Sequence, residues 1–178
     1  MRKVLLILGQ LSDTDVSWLA RNGRTQKFAA GMELIRQGTR IDTIYIILEG
    51  VMSVTIASGI KLAEVGSGDI LGEMSLVDSA PTVASVRVEQ DSTVLAISKS
   101  VLQQKLTGDF AFASRFYRAL AMFLADRMRN TIRTMGYSTE QELASDQPSP
   151  DELDPNVLDN VFLGGSRFER MLKQLAGG

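Results

Sequence analysis

The residues best placed to do chemistry lie in one stretch, Gly68-Asp69-Ile70-Leu71-Gly72-Glu73-Met74-Ser75-Leu76, followed by Pro81-Thr82-Val83-Ala84-Ser85. The pattern reads as a strand end, a glycine turn, one helical turn opening on an acid, and a proline-marked loop into another strand. Gly72 permits close backbone approach. The first turn after it would present free N–H groups at the positive end of a helix dipole, which makes an anion site. The Glu73 carboxylate is ill suited to face a phosphate and is better matched to a sugar hydroxyl, as acids in dinucleotide sites are. The layout could therefore cradle a phosphorylated sugar. The plainer alternative is a helix N-terminus with a favourable acid, worth roughly a few tenths of a kcal/mol, and nothing bound. At Thr82, where a phosphate cradle wants a cation, there is a hydroxyl.

The chain contains no cysteine and no histidine. Disulfides, thiolate and histidine metal sites, cysteine nucleophiles and Ser-His-Asp triads are therefore excluded, and few enzyme classes survive; no catalytic or metal-binding residue is expected. The apolar run Val4-Leu5-Leu6-Ile7-Leu8 is far shorter than the roughly 20 residues that cross a bilayer. It is followed at once by Gly9-Gln10 and a helix start at Ser12-Asp13, with no small-residue cleavage site, so a cytoplasmic protein without a membrane partner is expected.

Charge is unevenly distributed. Residues 1–137 carry +3, residues 138–160 carry seven acids and no base, and residues 161–178 carry +2. An acidic block directly after an Arg-rich helix is an unusual neighbour for a polyanion-binding surface. It could instead fold back as a gate on that helix, which bears Arg115, Arg118, Arg127, Arg129 and Arg133, although a solvated linker is the simpler reading because exposed pairs contribute little.

The elements that must position the motif are mostly strands. A short helix spans Ser12 to Gly23. Glycine-punctuated runs follow over 27–31, 33–38, 43–50, 51–57 and 61–65, with a hairpin turn at Ser58-Gly59, and then over 84–88 and 93–97. This spacing predicts a mainly β protein with flanking helices, an antiparallel β-roll or jelly-roll of seven to eight strands. Ser100 is expected to cap a short helix ending at Thr107-Gly108. A long helix follows from about Asp109 to Met135, with Phe112, Phe116, Leu120, Phe123, Leu124, Met128 and Ile132 on one side. So wide an apolar face predicts a homodimer through the helix at 109–135, with packing on the chain's own roll as the alternative. Residues 1–137 would form the roll with its helices, 138–153 an acidic linker, and 154–178 two short amphipathic helices. These would be hinged at Gly164-Gly165, with a capping box at Ser166 to Glu169, and are a candidate surface for a protein partner.

From about residue 10 to 135 the sequence resembles the cyclic-nucleotide-binding domains of the catabolite activator protein and the regulatory subunits of protein kinase A. The resemblance rests on the initial helix, the glycine-punctuated roll, the Gly-Glu-Met-Ser-Leu turn, Pro81 and the long helix after the roll. It implies a phosphate-binding cassette with cyclic AMP (cAMP) or cyclic GMP (cGMP) as ligand. It also implies that Glu73 holds the ribose 2′-hydroxyl, that amides around Met74 and Ser75 meet the cyclic phosphate, and that Ser85 helps hold the base. The family's cassette often closes with Pro-Arg-Ala-Ala; here the stretch is Pro81-Thr82-Val83-Ala84, so Thr82 and Val83 depart from it. Arg87 could substitute for the missing cation, but it sits on a strand where it is expected to face outward.

An Arg–phosphate pair is bidentate and charge-assisted, each bond worth roughly 1.5–3 kcal/mol. Its loss should weaken binding by roughly two to four decades. The resulting expectation is a regulatory sensor domain with weakened or lost cyclic-nucleotide binding. The alternative is a ligand-independent interaction or scaffold module that works through the long helix and the tail. A transcriptional regulator is a minor alternative. Residues 134–166 hold no Lys or Arg, so a phosphate-contacting helix-turn-helix does not fit there and no DNA partner is expected.

Overall fold

A computed structural model of the chain describes residues 3–78, 80–134 and 155–177. The N-terminal apolar run forms helix α1 (Lys3–Gln10), and α2 (Asp13–Asn22) follows directly. Ser12 starts α2 with a capping box: its hydroxyl accepts from the Asp15 amide at 3.2 Å, and the Asp15 carboxylate accepts from the Ser12 amide at 2.7 Å. Two orphan amides of the first turn are thereby satisfied.

The strands are β1 (Arg24–Phe28), β2 (Glu33–Ile35), β3 (Thr43–Glu49), β4 (Val51–Thr55), β5 (Lys61–Gly66), β6 (Ile70–Leu71), β7 (Ser85–Val88) and β8 (Ser92–Ser98). They form two four-stranded antiparallel sheets in the orders β1-β8-β3-β6 and β2-β7-β4-β5. This is the β-roll with flanking helices that the strand spacing predicts. The continuous apolar run in β3 has a direct cause: the strand is covered on both faces. Ile44, Ile46 and Leu48 pack toward the helices, while Tyr45 and Ile47 point between the sheets.

The helices after α3 (Met74–Val77) are α4 (Lys99–Gly108), α5 (Phe110–Thr134) and α6 (Pro155–Ala176). The cap of α4 falls on Ser98 rather than Ser100; the two hydroxyls bond each other at 2.9 Å, and neither caps the helix with its side chain. On α5, Phe112, Phe116, Ala119, Leu120 and Phe123 are buried within the chain. Phe112 packs between Trp18, tilted to it at 5.7 Å between ring centroids, and Phe116, stacked on it at 5.6 Å. Most of the face that suggested a second copy is therefore covered by the chain's own helices. Only its last part, at Met128 and Ile132, is open.

The tail differs from the sequence expectation. Instead of two short helices hinged at Gly164-Gly165, α6 is continuous, and the Ser166 hydroxyl, expected to cap a second helix, donates back to the Phe162 carbonyl at 3.3 Å. The physical reason is docking. Met171 is fully buried, Gly164 is buried, and Arg167 reaches the C-terminal carbonyls of α1 at Leu8 and Gly9, at 3.1 and 2.9 Å. Such tertiary packing outweighs the roughly 1 kcal/mol that each mid-helix glycine costs. Arg167 and Arg170 also both pair with Asp13. The acidic linker at 138–153, and with it the gate, lie outside the described residues, as do the side chains of Val157, Leu158 and Val161. Among the described residues, no helix is long and apolar enough to cross a membrane.

Candidate functional site

The site begins where β6 ends. Gly72 has φ +80°, and a Cβ there would fall 2.7 Å from Ile41 Cδ1 and 2.9 Å from the Thr43 carbonyl, so both the conformation and the space demand glycine. In this conformation the Gly72 carbonyl accepts from both the Ser75 amide, at 3.2 Å, and the Ser75 hydroxyl, at 2.7 Å. The Leu76 amide donates to the Glu73 carbonyl at 3.1 Å. Of the first-turn amides, those of Ser75 and Leu76 are engaged within α3, which is a single turn. A turn this short closes on itself before it builds a dipole worth the name.

Glu73 is buried, with 2% of its surface exposed. Its Oε1 accepts from Arg127 Nη1 of α5 at 2.5 Å, and the Arg127 guanidinium lies 5.6 Å from the centre of the Phe123 ring. Burial pushes the Glu73 carboxyl above its ordinary range; Arg127 pulls it down, and the Asp69 carboxylate pushes it up again. Burial wins.

Thr82 is turned into the protein's own backbone. Its hydroxyl donates to the Arg36 carbonyl at 2.6 Å and accepts from the Thr39 amide at 3.3 Å, while its main chain pairs with Gly38 and Thr39 at 2.8 Å. It staples the loop after β2 to the motif. Ser85 is likewise occupied, accepting from the Gln37 amide at 2.9 Å and donating to Glu33 at 3.1 Å. Arg87 is exposed on β7, opposite Glu33 and Ser53. It faces away from the site.

A cavity of about 420 Å³ opens between the roll and α5. Gly72, Glu73, Met74, Ser75, Thr82 and Val83 come together on its wall; Ser85 does not. Sequence reasoning did not assign Leu124, Arg127 and Met128, the contribution of α5 to the same wall. Their signal was the spacing of three and one: an arginine set inside the apolar stripe, apart from Arg115, Arg118, Arg129 and Arg133.

Residues 25–109 match the family model described as the cyclic nucleotide-binding domain. An uncharacterised NTE family protein of Mycobacterium tuberculosis is 28% identical over 118 residues, 66% of this chain and 20% of that protein. A cAMP-dependent protein kinase regulatory subunit of Hypocrea atroviridis is 30% identical over 100 residues, 56% of this chain and 21% of that protein. The chain thus spans about a fifth of the length of these curated relatives. Among solved structures, a cyclic nucleotide-binding domain from Methylobacillus flagellatus superposes with a TM-score of 0.68 at 24% identity, covering 77% of this chain and 83% of that one. At that identity the superposition speaks to the fold.

Proposed function

We propose that this chain, whose residues 25–109 match the cyclic nucleotide-binding domain model, is a cytoplasmic regulatory ligand sensor in which cAMP and cGMP bind weakly or not at all. One observation carries the reading: the two side chains a cyclic nucleotide would need at its ribose and phosphate are both committed elsewhere. Glu73 is held by Arg127, and the Thr82 hydroxyl donates to the Arg36 carbonyl. A sugar hydroxyl would have to compete with a charge-assisted bond for Glu73, and no guanidinium stands at position 82 to meet a phosphate.

The same pair provides the output. Any ligand that takes Glu73 from Arg127 alters what holds the second half of α5, so occupancy of the cavity is felt by the helix. The domain works by binding rather than catalysis. Calorimetric titration with cAMP and cGMP tests the reading: little heat is expected up to millimolar ligand, and micromolar binding would overturn it.

A second reading has its own support. Tyr117, Met128 and Ile132 are exposed on α5, as are Phe162 and Leu163 on α6, which suits a ligand-independent interaction module. In that case the long helix at 109–135 would pair with a second copy and the tail at 154–178 with a protein partner, without DNA or membrane. Sedimentation of wild type beside Met128→Glu/Ile132→Glu decides: a dimer lost in the variant supports it, and a wild-type monomer excludes the homodimer.

A further inference from the structure

We infer that the cavity between the roll and α5 takes an electrically neutral, largely apolar small molecule rather than an anion, a deepening of the sensor reading on which it rests. Its volume of about 420 Å³ lies within the roughly 300–1,000 Å³ of small-molecule sites. The wall is built mainly from carbon: Ile35, Val54, Leu71, Val86, Leu124 and Met128 are typical of it. Contact with such a wall releases water from apolar surface on both sides, and no polar partner is needed.

The charges on the wall disfavour an anion. Glu73 and Asp78 are acids, and Arg127 is the one cation among the described wall residues. Arg127 already lies 2.5 Å from Glu73. An anion that captured Arg127 would leave the Glu73 carboxylate buried beside Asp69 without that partner, the arrangement in which a buried charge is most costly.

The two wall hydroxyls give no compensation, because Ser75 donates to the Gly72 carbonyl and Thr82 to the Arg36 carbonyl. A neutral molecule can offer an N–H or O–H to the Glu73 carboxylate and so share it with Arg127, shifting the hold on α5 without leaving either charge unpaired. Met74, Val83 and Met128 stand at the wall with about half or more of their surface exposed, so they form an apolar and partly pliable entrance.

The test uses two probes with one skeleton. N-phenyl-1-naphthylamine is neutral, and 1-anilinonaphthalene-8-sulfonate adds a single fixed negative charge. Fluorescence titration of the full chain should show saturable binding of the neutral probe at one per chain, and binding of the sulfonate about tenfold weaker or more. Val83→Trp and Met128→Trp, two exposed positions on different elements, should each weaken the neutral probe by about tenfold or more while thermal melting stays cooperative.

No saturable binding of the neutral probe, equal or tighter binding of the sulfonate, or indifference to both tryptophan variants would each overturn the inference. cAMP titrated into the same preparation separates the two levels. Micromolar binding there contradicts the weakened-site reading together with the neutrality argued here. Failure of the neutral probe alone contradicts only the present inference.

Discussion

Arg127 of α5 reaches down to Glu73 of the glycine turn, 54 residues away in sequence, and the two meet at 2.5 Å with the carboxylate almost fully buried. The pair ties the turn to the helix. It also sets a balance, because burial pushes the Glu73 carboxyl up more strongly than Arg127 holds it down.

That balance predicts the effect of Glu73→Gln. An acid whose folded value lies above its ordinary 4.5 binds its proton more tightly in the folded state. Its favourable contribution is complete below that ordinary value and is lost as pH rises through the higher folded one. Glu73→Gln should therefore be as stable as wild type or more so at pH 7, with the advantage shrinking toward pH 4. Urea unfolding at both pH values measures it. A variant less stable by several kcal/mol at pH 7 would show that the pair, and not the burial, dominates.

Arg127→Met should behave in the opposite way. It leaves a buried carboxylate without this partner and should destabilise by about 2–4 kcal/mol at pH 7, somewhat below the cost of breaking a fully buried pair because Arg127 is a quarter exposed. Combining it with Glu73→Gln should restore most of the loss. A double variant as unstable as Arg127→Met alone would mean the arginine acts mainly through its guanidinium over the Phe123 ring.

Asp15 offers a contrast of sign. Burial pushes its carboxyl up, but the Arg115 fork, at 2.7 and 2.9 Å, and the Ser12 cap bonds outweigh it, so the folded value lies below the ordinary 3.8. Its contribution is present above 3.8 and lost as pH falls through the lower folded value. Asp15→Asn should cost about 1–3 kcal/mol at pH 7, and the difference from wild type should vanish in acid. Guanidinium denaturation at pH 7 and below pH 3 reads both ends. A difference that persists in acid would assign the loss to packing.

The sequence pattern made most of the roll legible, and the reasons are local. β-branched runs mark β3, β4 and β8, the first of them ended by Gly50, and the motif around Gly72 and Glu73 is contiguous in the chain. What could not be read depended on distant partners. The continuity of α6 across Gly164-Gly165 follows from docking on α1, and no local signal overrides two glycines. The pairing of Glu73 needs Arg127, which lies within the apolar face of α5. The fate of the Thr82 and Ser85 hydroxyls needs the β2 loop, at Arg36, Gln37 and Thr39.

The α6 finding carries its own check. If the helix is continuous, Gly165→Ala should raise stability by about 0.5–1 kcal/mol, since it removes glycine's entropy cost from a helix interior. Thermal melting with circular dichroism measures this. An unchanged or lowered midpoint would favour a hinge.

The central claim, that the site keeps the family's frame without its phosphate cation, is tested most directly by calorimetry of cAMP against wild type and Thr82→Arg side by side. The account predicts that the variant gains roughly two to four decades in affinity over a wild type that binds at millimolar or not at all. Equal affinity in the two proteins, at any concentration where binding is measurable, would contradict it.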